Sequence, residues 1–134
     1  MTFAAVADTH AAIWYVFDDT RLSKRAKAFM EEAARAQEKI SLSAISMVEV
    51  VYLIEKKRLP LTAYDDLLAA LRDPDHVLVE SPVSVSVAEA LRLVSRDAVP
   101  DMPDRIVAAT AIFLGVPVIS RDGRIRASNV ETIW

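Results

Sequence analysis

The sequence predicts an α/β fold in which a central parallel sheet of four to five short strands is covered by helices on both faces. Two observations lead to this prediction. Short apolar runs alternate with helical segments along the chain, an order typical of parallel sheets with right-handed crossovers. The chain has 134 residues, of which 53% are hydrophobic, and this is enough to build the core of one domain across residues 1–134.

The first half of the chain predicts two strands and four helices. The strands are short apolar runs, and the helices carry apolar residues at helical spacing. Ser23, Ser46 and Thr62 are the expected N-caps of the second, third and fourth helices, and Pro60 prevents the third helix from continuing. The expected bounds are residues 3–8 and 40–42 for the strands, and residues 9–17, 24–38, 47–57 and 63–72 for the helices.

The second half of the chain predicts two further helices and the remaining strands. Gly115 is well placed as the left-handed residue that ends the last helix. The short apolar run before Asp122 predicts an internal strand, and the end of the chain offers a possible edge strand. The expected bounds are residues 84–96 and 103–114 for the helices, and residues 77–79, 118–120 and 130–133 for the strands.

Four acidic residues stand where such a fold would direct their side chains to one edge of the sheet. Asp8 ends the apolar run FAAVA, and Glu49 lies in SAISMVEV after the second strand. Asp104 opens the helix DRIVAATAIFLG, and Asp122 follows the run VPVIS and Arg121. Ligands of open parallel sheets bind at the carboxyl ends of the strands. Because four carboxylates there would repel one another, the pattern predicts a divalent-metal site.

Each acid also has an alternative role as a helix cap or turn residue. Asp8 is a suitable cap for the first helix, and Ser46-x-x-Glu49 has the spacing of a capping box. Asp104 is also placed to face the helix dipole in a first turn, and Asp122 with the following glycine is an ordinary turn dipeptide. The metal site is favoured because all four acids fall at the same predicted edge, which capping alone does not require.

Four sequence blocks make the chain resemble the PIN-domain ribonucleases and, within them, the VapC-like toxins of bacterial and archaeal toxin–antitoxin pairs. The blocks are DTHAAIW, SAISMVEV, DMPDRIVAATA and VPVISRDGRIRASNVETIW, and they occur in the order found in that family. The family pattern of four acids matches Asp8, Glu49, Asp104 and Asp122, and the hydroxyl residue before the last acid matches Ser120. Residues 60–98 carry no such signature.

The resemblance implies an endoribonuclease that depends on Mg²⁺ or Mn²⁺ and cleaves RNA phosphodiester bonds through a metal-activated water. It implies Asp8 and Asp104 as principal metal ligands, Asp122 as a further or water-mediated ligand, and Glu49 as a ligand or water-orienting base. The expected supporting residues around these ligands are Thr9 and Ser120. The preference of hard cations for carboxylate oxygens agrees with this set.

The resemblance also implies a homodimer that a cognate VapB-like antitoxin silences. Val51, Tyr52 and Ile54 are apolar residues beyond those that one small core needs, and we expect them to serve such contacts. A noncatalytic PIN-like RNA- or protein-binding module is the alternative function. The intact set of four acids argues against it.

Three arginines flank the predicted acidic site. We expect Arg105, Arg121 and Arg124 to contact RNA phosphates. His10 and His76 are expected to be structural or surface residues, which disfavours a ribonuclease based on paired histidines.

The composition excludes several other classes of protein. There are no cysteines, so disulfides, thiolate nucleophiles and zinc–thiolate sites are excluded. No apolar run approaches the ~20 residues of a membrane span, and no leader-like segment opens the chain. We therefore expect a cytoplasmic protein without a membrane partner. The formal net charge of −3 argues weakly against general coating of nucleic acid, although a local patch matters more than the sum.

Overall fold

The structure is a computed structural model that describes the backbone of residues 1–134 and the side chains of residues 1–126 and 128–134. Five strands form one sheet, in which every neighbouring pair is parallel. The strands are β1 (Phe3–Ala7), β2 (Lys39–Ser43), β3 (Leu78–Ser81), β4 (Val118–Ile119) and β5 (Thr132–Ile133). The predicted parallel α/β fold is confirmed, including the edge strand at the end of the chain.

Helices connect the strands and cover the sheet. They are α1 (Thr9–Val16), α2 (Lys24–Arg35), α3 (Ala44–Glu55), α4 (Ala63–Arg72), α5 (Val85–Leu91), α6 (Met102–Leu114) and α7 (Gly123–Ala127). Within the described part of the chain, no helix is long and apolar enough to cross a membrane.

The core is divided by the sheet into two layers, because successive side chains of a strand point to opposite faces. In β1, Ala5 and Ala7 pack with residues of α1, α2 and α4. Val6 packs instead with residues of α5, α6 and α7. Both clusters are almost completely buried, so the helices on both faces protect the central strand from water.

The strand order places β1 at the centre of the sheet. The order is β3-β2-β1-β4-β5, so the chain adds β2 and β3 on one side of β1 and later returns to add β4 and β5 on the other. The carboxyl ends of β1 and β4 therefore flank the topological switch point, where open α/β sheets form a ligand crevice. The backbone N–H of Asp8 donates to the carbonyl of Ile119 at 3.0 Å and fixes the two strand ends together.

Of the three predicted N-caps, one is confirmed, one is wrong, and one has the predicted position without the capping hydrogen bond. Ser23 accepts the backbone N–H of Ala26 and caps α2, as predicted. The third helix begins at Ala44, and Ser43 rather than Ser46 is its cap. Because β2 passes into α3 without a loop, the last strand residue also serves as the helix cap. Thr62 occupies the cap position of α4, but its backbone is helical and its side chain makes no capping hydrogen bond.

The predicted helix at residues 84–96 is too long, since α5 spans only Val85–Leu91. Beyond it the backbone tightens: the N–H of Val94 donates to the carbonyl of Leu91 at 3.0 Å. The guanidinium of Arg105 on α6 donates to the carbonyls of both residues, at 3.2 and 2.9 Å. These bonds satisfy carbonyls at and just beyond the end of α5, where a helix leaves such groups without partners.

The remaining differences lie at the ends of elements. Gly115 has φ of 69° and ends α6 in the left-handed region, as predicted. The short helix α7 was not predicted, because the Asp122–Gly123 pair reads as a turn. The strand and helix bounds otherwise differ by one to three residues from those expected from the sequence, the usual disagreement at frayed ends.

Candidate active site

A cavity of about 370 Å³ opens at the carboxyl edge of the sheet and contains all four predicted acids. We call it the acidic cavity. It lies at the switch point between β1 and β4, because Asp8 and Asp122 follow these two strands. Its lining residues are Asp8, Thr9, His10, Trp14, Arg21, Glu49, Asp104, Arg121 and Asp122.

Asp8 is both a helix cap and a residue of the acidic cavity. Its Oδ1 accepts the backbone N–H of Ala11 at 2.8 Å at the start of α1. Burial raises the pKa of the Asp8 carboxyl, against hydrogen bonds from Ser120 and Ala11 that lower it, and the charge of Asp122 adds to the rise. Since a carboxylate has two oxygens with several lone pairs, capping leaves acceptor capacity for a ligand.

Asp104 shows most clearly that the acids share one small volume. Burial, followed by the charges of Asp101, Asp122 and Glu49, raises the pKa of Asp104 to about 8. A hydrogen bond to the Asp122 carboxyl raises it further. At neutral pH and without a cation, the cluster therefore keeps a proton between two of its carboxyls.

Glu49 does not form the capping box that its spacing suggested. Ser46 lies inside α3 and is buried, and its hydroxyl accepts a hydrogen bond from the Thr9 hydroxyl at 2.9 Å. That bond joins α1 to α3 one turn before Glu49, on the same side of the helix. The glutamate side chain is half-buried and faces the acidic cavity.

Ser120 links the two strand ends that carry Asp8 and Asp122. It is completely buried, and its Oγ accepts the backbone N–H of Asp122 at 2.9 Å. It also hydrogen-bonds the Asp8 carboxyl. Asp122 in turn caps α7 by accepting the N–H of Arg124 at 2.8 Å. The serine therefore sets the relative position of the first and last acids.

The donor set fits a hard divalent cation. The four predicted ligands are all carboxylates, the ligand type that Mg²⁺ and Mn²⁺ prefer. The pKa of Asp104 is raised mainly by burial and further by the charges of the neighbouring acids, and a cation would offset the second of these causes. Among the described residues, no three acidic or histidine side chains are arranged to hold an ion by themselves. Mg²⁺ usually binds through one or two carboxylates and keeps several waters.

The structure separates the three predicted RNA-binding arginines. Arg121 lines the acidic cavity. Arg124 is exposed on α7 beside it. Arg105 is directed elsewhere: its guanidinium contacts the end of α5, and its Nε is buried without a hydrogen-bond partner among the described residues. The guanidinium is thus engaged within the protein, which favours a structural role for Arg105 over an RNA contact.

One residue that lines the acidic cavity was not predicted from the sequence, and two others were expected to have a different role. Arg21 reaches the acidic cavity from the loop between α1 and α2, and no sequence signal marks it because its position depends on the path of that loop. His10 is exposed at the rim and its ring stands 5.5 Å from that of Trp14. Trp14 was expected in the core and is buried there, yet its ring also lines the acidic cavity.

Comparison with known proteins identifies the family. The PIN domain family model matches residues 5–129, a range that includes all four acids. The chain is 30% identical over 131 residues to Ribonuclease VapC22 of Mycobacterium tuberculosis (strain ATCC 25618 / H37Rv), and the match covers 95% of each chain.

Solved structures share the fold. A chain of VapBC2 from Rickettsia felis, bound to a DNA fragment from their promoter, matches with a TM-score of 0.70 and 14% identity, over 97% of each chain. A chain of a toxin–antitoxin complex from Klebsiella pneumoniae matches with a TM-score of 0.63 and 22% identity, over 98% of this chain and 97% of that one. Since the family model and the VapC22 match span most of the sequence, the chain belongs to the PIN-domain family and is a relative of the VapC ribonucleases.

Proposed function

We propose that the protein is a metal-dependent endoribonuclease toxin that hydrolyses RNA phosphodiester bonds. One observation carries the proposal: four carboxylates converge on one cavity at the switch point of a PIN-domain sheet. The relative Ribonuclease VapC22 supports RNA as the substrate class. The acids are the proposed catalytic and metal-binding residues.

The four acids have different proposed roles, which follow from their positions in the acidic cavity. Asp8 and Asp104 hold the cation, and Asp122 contributes directly or through water. A bound Mg²⁺ or Mn²⁺ supplies Lewis acidity and a more acidic water. Glu49, which has no capping role, serves as a further ligand or orients the attacking water. Ser120 is the supporting residue that holds Asp8 and Asp122 in register.

The protonation of Asp104 adds a pH dependence to metal binding. Because its pKa is raised to about 8 in the metal-free protein, a cation must displace a proton at neutral pH. Metal affinity is therefore expected to rise with pH up to about 8.

Thr9 supports the same group of acids indirectly, since its bond to Ser46 fixes α3 and with it Glu49.

RNA is bound by cations at the rim of the acidic cavity. Arg121 lines the cavity and Arg124 is exposed beside it. Such contacts to phosphates position the chain without reading its sequence. Selectivity then comes from RNA shape or from bases splayed in a loop.

A second copy of the chain and an antitoxin are the proposed protein partners. The structures that share the fold include a toxin–antitoxin complex, which supports a VapB-like partner. The exposed face of α3 carries the apolar side chains of Val48, Val51 and Tyr52, a patch available for a dimer contact. Ile54 was also expected to be available for such contacts, but it packs against the core.

A metal titration combined with an RNA-cleavage assay tests the proposal. The protein should bind Mg²⁺ or Mn²⁺ and cleave single-stranded RNA only when the metal is present. Binding of RNA without cleavage at any metal concentration would favour the noncatalytic binding module. Expression with and without the genomic neighbour, followed by sequencing of RNA ends, would identify the cleaved RNA and the antitoxin.

A further inference from the structure

Two arginines share one aromatic ring beside the acids. The Cζ atoms of Arg21 and Arg121 lie 5.2 and 4.6 Å from the ring centroid of Trp14, and both distances are within the range of cation–π attraction. All three residues line the acidic cavity. One indole therefore holds two guanidiniums next to the proposed catalytic centre.

The ring that holds them is itself fixed. Trp14 is only 4% exposed and belongs to the buried core. Its ring centroid lies 5.9 Å from that of Trp134 and 5.5 Å from that of His10. A side chain packed on several sides has little rotamer freedom, so it provides a rigid support for the two arginine side chains.

Arg21 has a second support from an acid in its own loop. Its Nε and Nη2 donate to the two carboxylate oxygens of Asp19 at 3.1 and 2.7 Å. This pairing holds the pKa of Asp19 at about 2. The bidentate contact leaves other N–H groups of the guanidinium free to donate, since arginine has five.

The two guanidiniums lie within electrostatic range of each other. Their distances to the common ring place them no farther apart than one Debye length, about 10 Å at 0.1 M salt. Asp19 balances the charge of Arg21. Arg121 has no carboxylate within 4.0 Å among the ion pairs of the described residues. An anion that contacts both would relieve their repulsion, and planar guanidiniums bind phosphate oxygens well.

We propose that Arg21 and Arg121 form a clamp for the RNA backbone phosphates next to the scissile bond, and that Trp14 is the residue that positions both. This inference rests on the proposed function, because it requires RNA in the acidic cavity. The acids repel the backbone that they cleave, and the clamp opposes that repulsion. It acts on RNA binding, so its loss raises KM more than it lowers kcat.

Salt-dependent binding of a labelled single-stranded RNA oligonucleotide tests the clamp. The binding measurements use the Asp104→Asn background, in which RNA stays intact. Arg21→Ala and Arg121→Ala are each expected to weaken binding about tenfold and to flatten the log–log salt dependence by roughly 0.7, the value of one phosphate contact on a single strand. Arg35→Ala is the matched control, since Arg35 is also paired with a carboxylate, at 2.8 Å, but lies outside the acidic cavity.

A double-mutant cycle tests the positioning role of Trp14. If the ring holds Arg121, then Arg121→Ala should reduce RNA affinity much less in the Trp14→Leu protein than in the protein that keeps Trp14. If Trp14 had only a structural role, the fold losses of RNA affinity in the two single variants would multiply in the double variant. Arg121→Lys gives a second test that leaves the core intact: the charge and the salt slope remain, while binding weakens because the ammonium does not stack in the same way.

The outcomes separate the clamp from the proposed function. Flattened slopes for both arginine variants, an unchanged slope for Arg35→Ala and a coupled cycle would support the clamp. Unchanged slopes, independent effects in the cycle, or an Arg121→Lys protein that binds as tightly as the parent would overturn it, even if the enzyme cleaves RNA normally. Failure of the unsubstituted protein to bind or cleave RNA would refute the proposed function itself.

Discussion

At the scale of single residues, the same carboxylates combine an observed capping role with the proposed ligand role. Asp8 and Asp122 each accept a backbone N–H at a helix start, and both also line the acidic cavity. The two roles agree physically, because a helix N-terminus favours negative charge and fixes the carboxylate. Glu49 is the exception, since its alternative capping role does not exist in this fold.

Asp104→Asn is expected to stabilise the metal-free protein at high pH. The folded-state pKa of Asp104 is about 8, against an ordinary value of 3.8, so the folded protein binds more protons than the unfolded chain between these values. The free energy of unfolding therefore falls as pH rises through this window. The asparagine should recover on the order of 1 kcal/mol above pH 8, after allowance for partial exposure, and nothing below the ordinary pKa.

Thermal melting in the presence of a chelator measures this effect. The unsubstituted protein should melt at a higher temperature near pH 5 than near pH 9, and Asp104→Asn should reduce the difference. The same pH dependence in both proteins would show that Asp104 does not carry the shared proton.

Glu49→Gln is expected to lower cleavage by at least about 100-fold, the usual effect of losing a general base or ligand. The free energy of unfolding should change by less than about 0.5 kcal/mol, because Glu49 makes no capping hydrogen bond. Glu55→Gln, on the exposed end of the same helix, is the control and should leave cleavage unchanged. A Glu49→Gln protein that cleaves normally would remove Glu49 from the catalytic set.

At the scale of elements, Arg105 links α6 to the end of α5. Arg105→Ala should lower the free energy of unfolding by about 1–3 kcal/mol, because it removes one donor from the Val94 carbonyl and one from the Leu91 carbonyl, which keeps only the N–H of Val94. Arg92→Ala, which removes an exposed arginine of an i,i+3 ion pair, should cost less than about 1 kcal/mol. Denaturant unfolding compares the two variants. An unchanged stability in Arg105→Ala, with a flatter RNA salt slope, would restore the RNA-binding role.

The sequence predicted the order of elements well and their contacts less well. Periodicity located the strands, the parallel sheet and the edge to which the acids point, since these depend on local pattern. The cap of α3 was misplaced because Ser43 and Ser46 are both acceptable caps, and only the direct passage from strand to helix selects the first. The ends of α5 and the position of Arg21 depend on partners distant in sequence, which no local pattern contains.

At the scale of the whole molecule, the exposed patch on α3 is the proposed dimer contact. We expect a dimer at micromolar concentration, measured by light scattering, and a larger complex with the cognate antitoxin. Tyr52 is 59% exposed, so Tyr52→Glu should yield a monomer by placing a charge in the contact without disturbing the core. Val85→Glu, at an apolar position on α5 that is even more exposed, at 82%, is the control. A monomer both alone and with the antitoxin would contradict the dimer.

The most direct test of the central claim is cleavage of single-stranded RNA by the purified protein with Mg²⁺ or Mn²⁺, compared with the Asp8→Asn and Asp104→Asn variants. Both substitutions keep the size of the side chain and remove a carboxylate of the acidic cavity. We predict metal-dependent cleavage by the unsubstituted protein and its loss in both variants, with folded structure retained. Equal cleavage by all three proteins, or cleavage that persists after chelation of the metal, would contradict it.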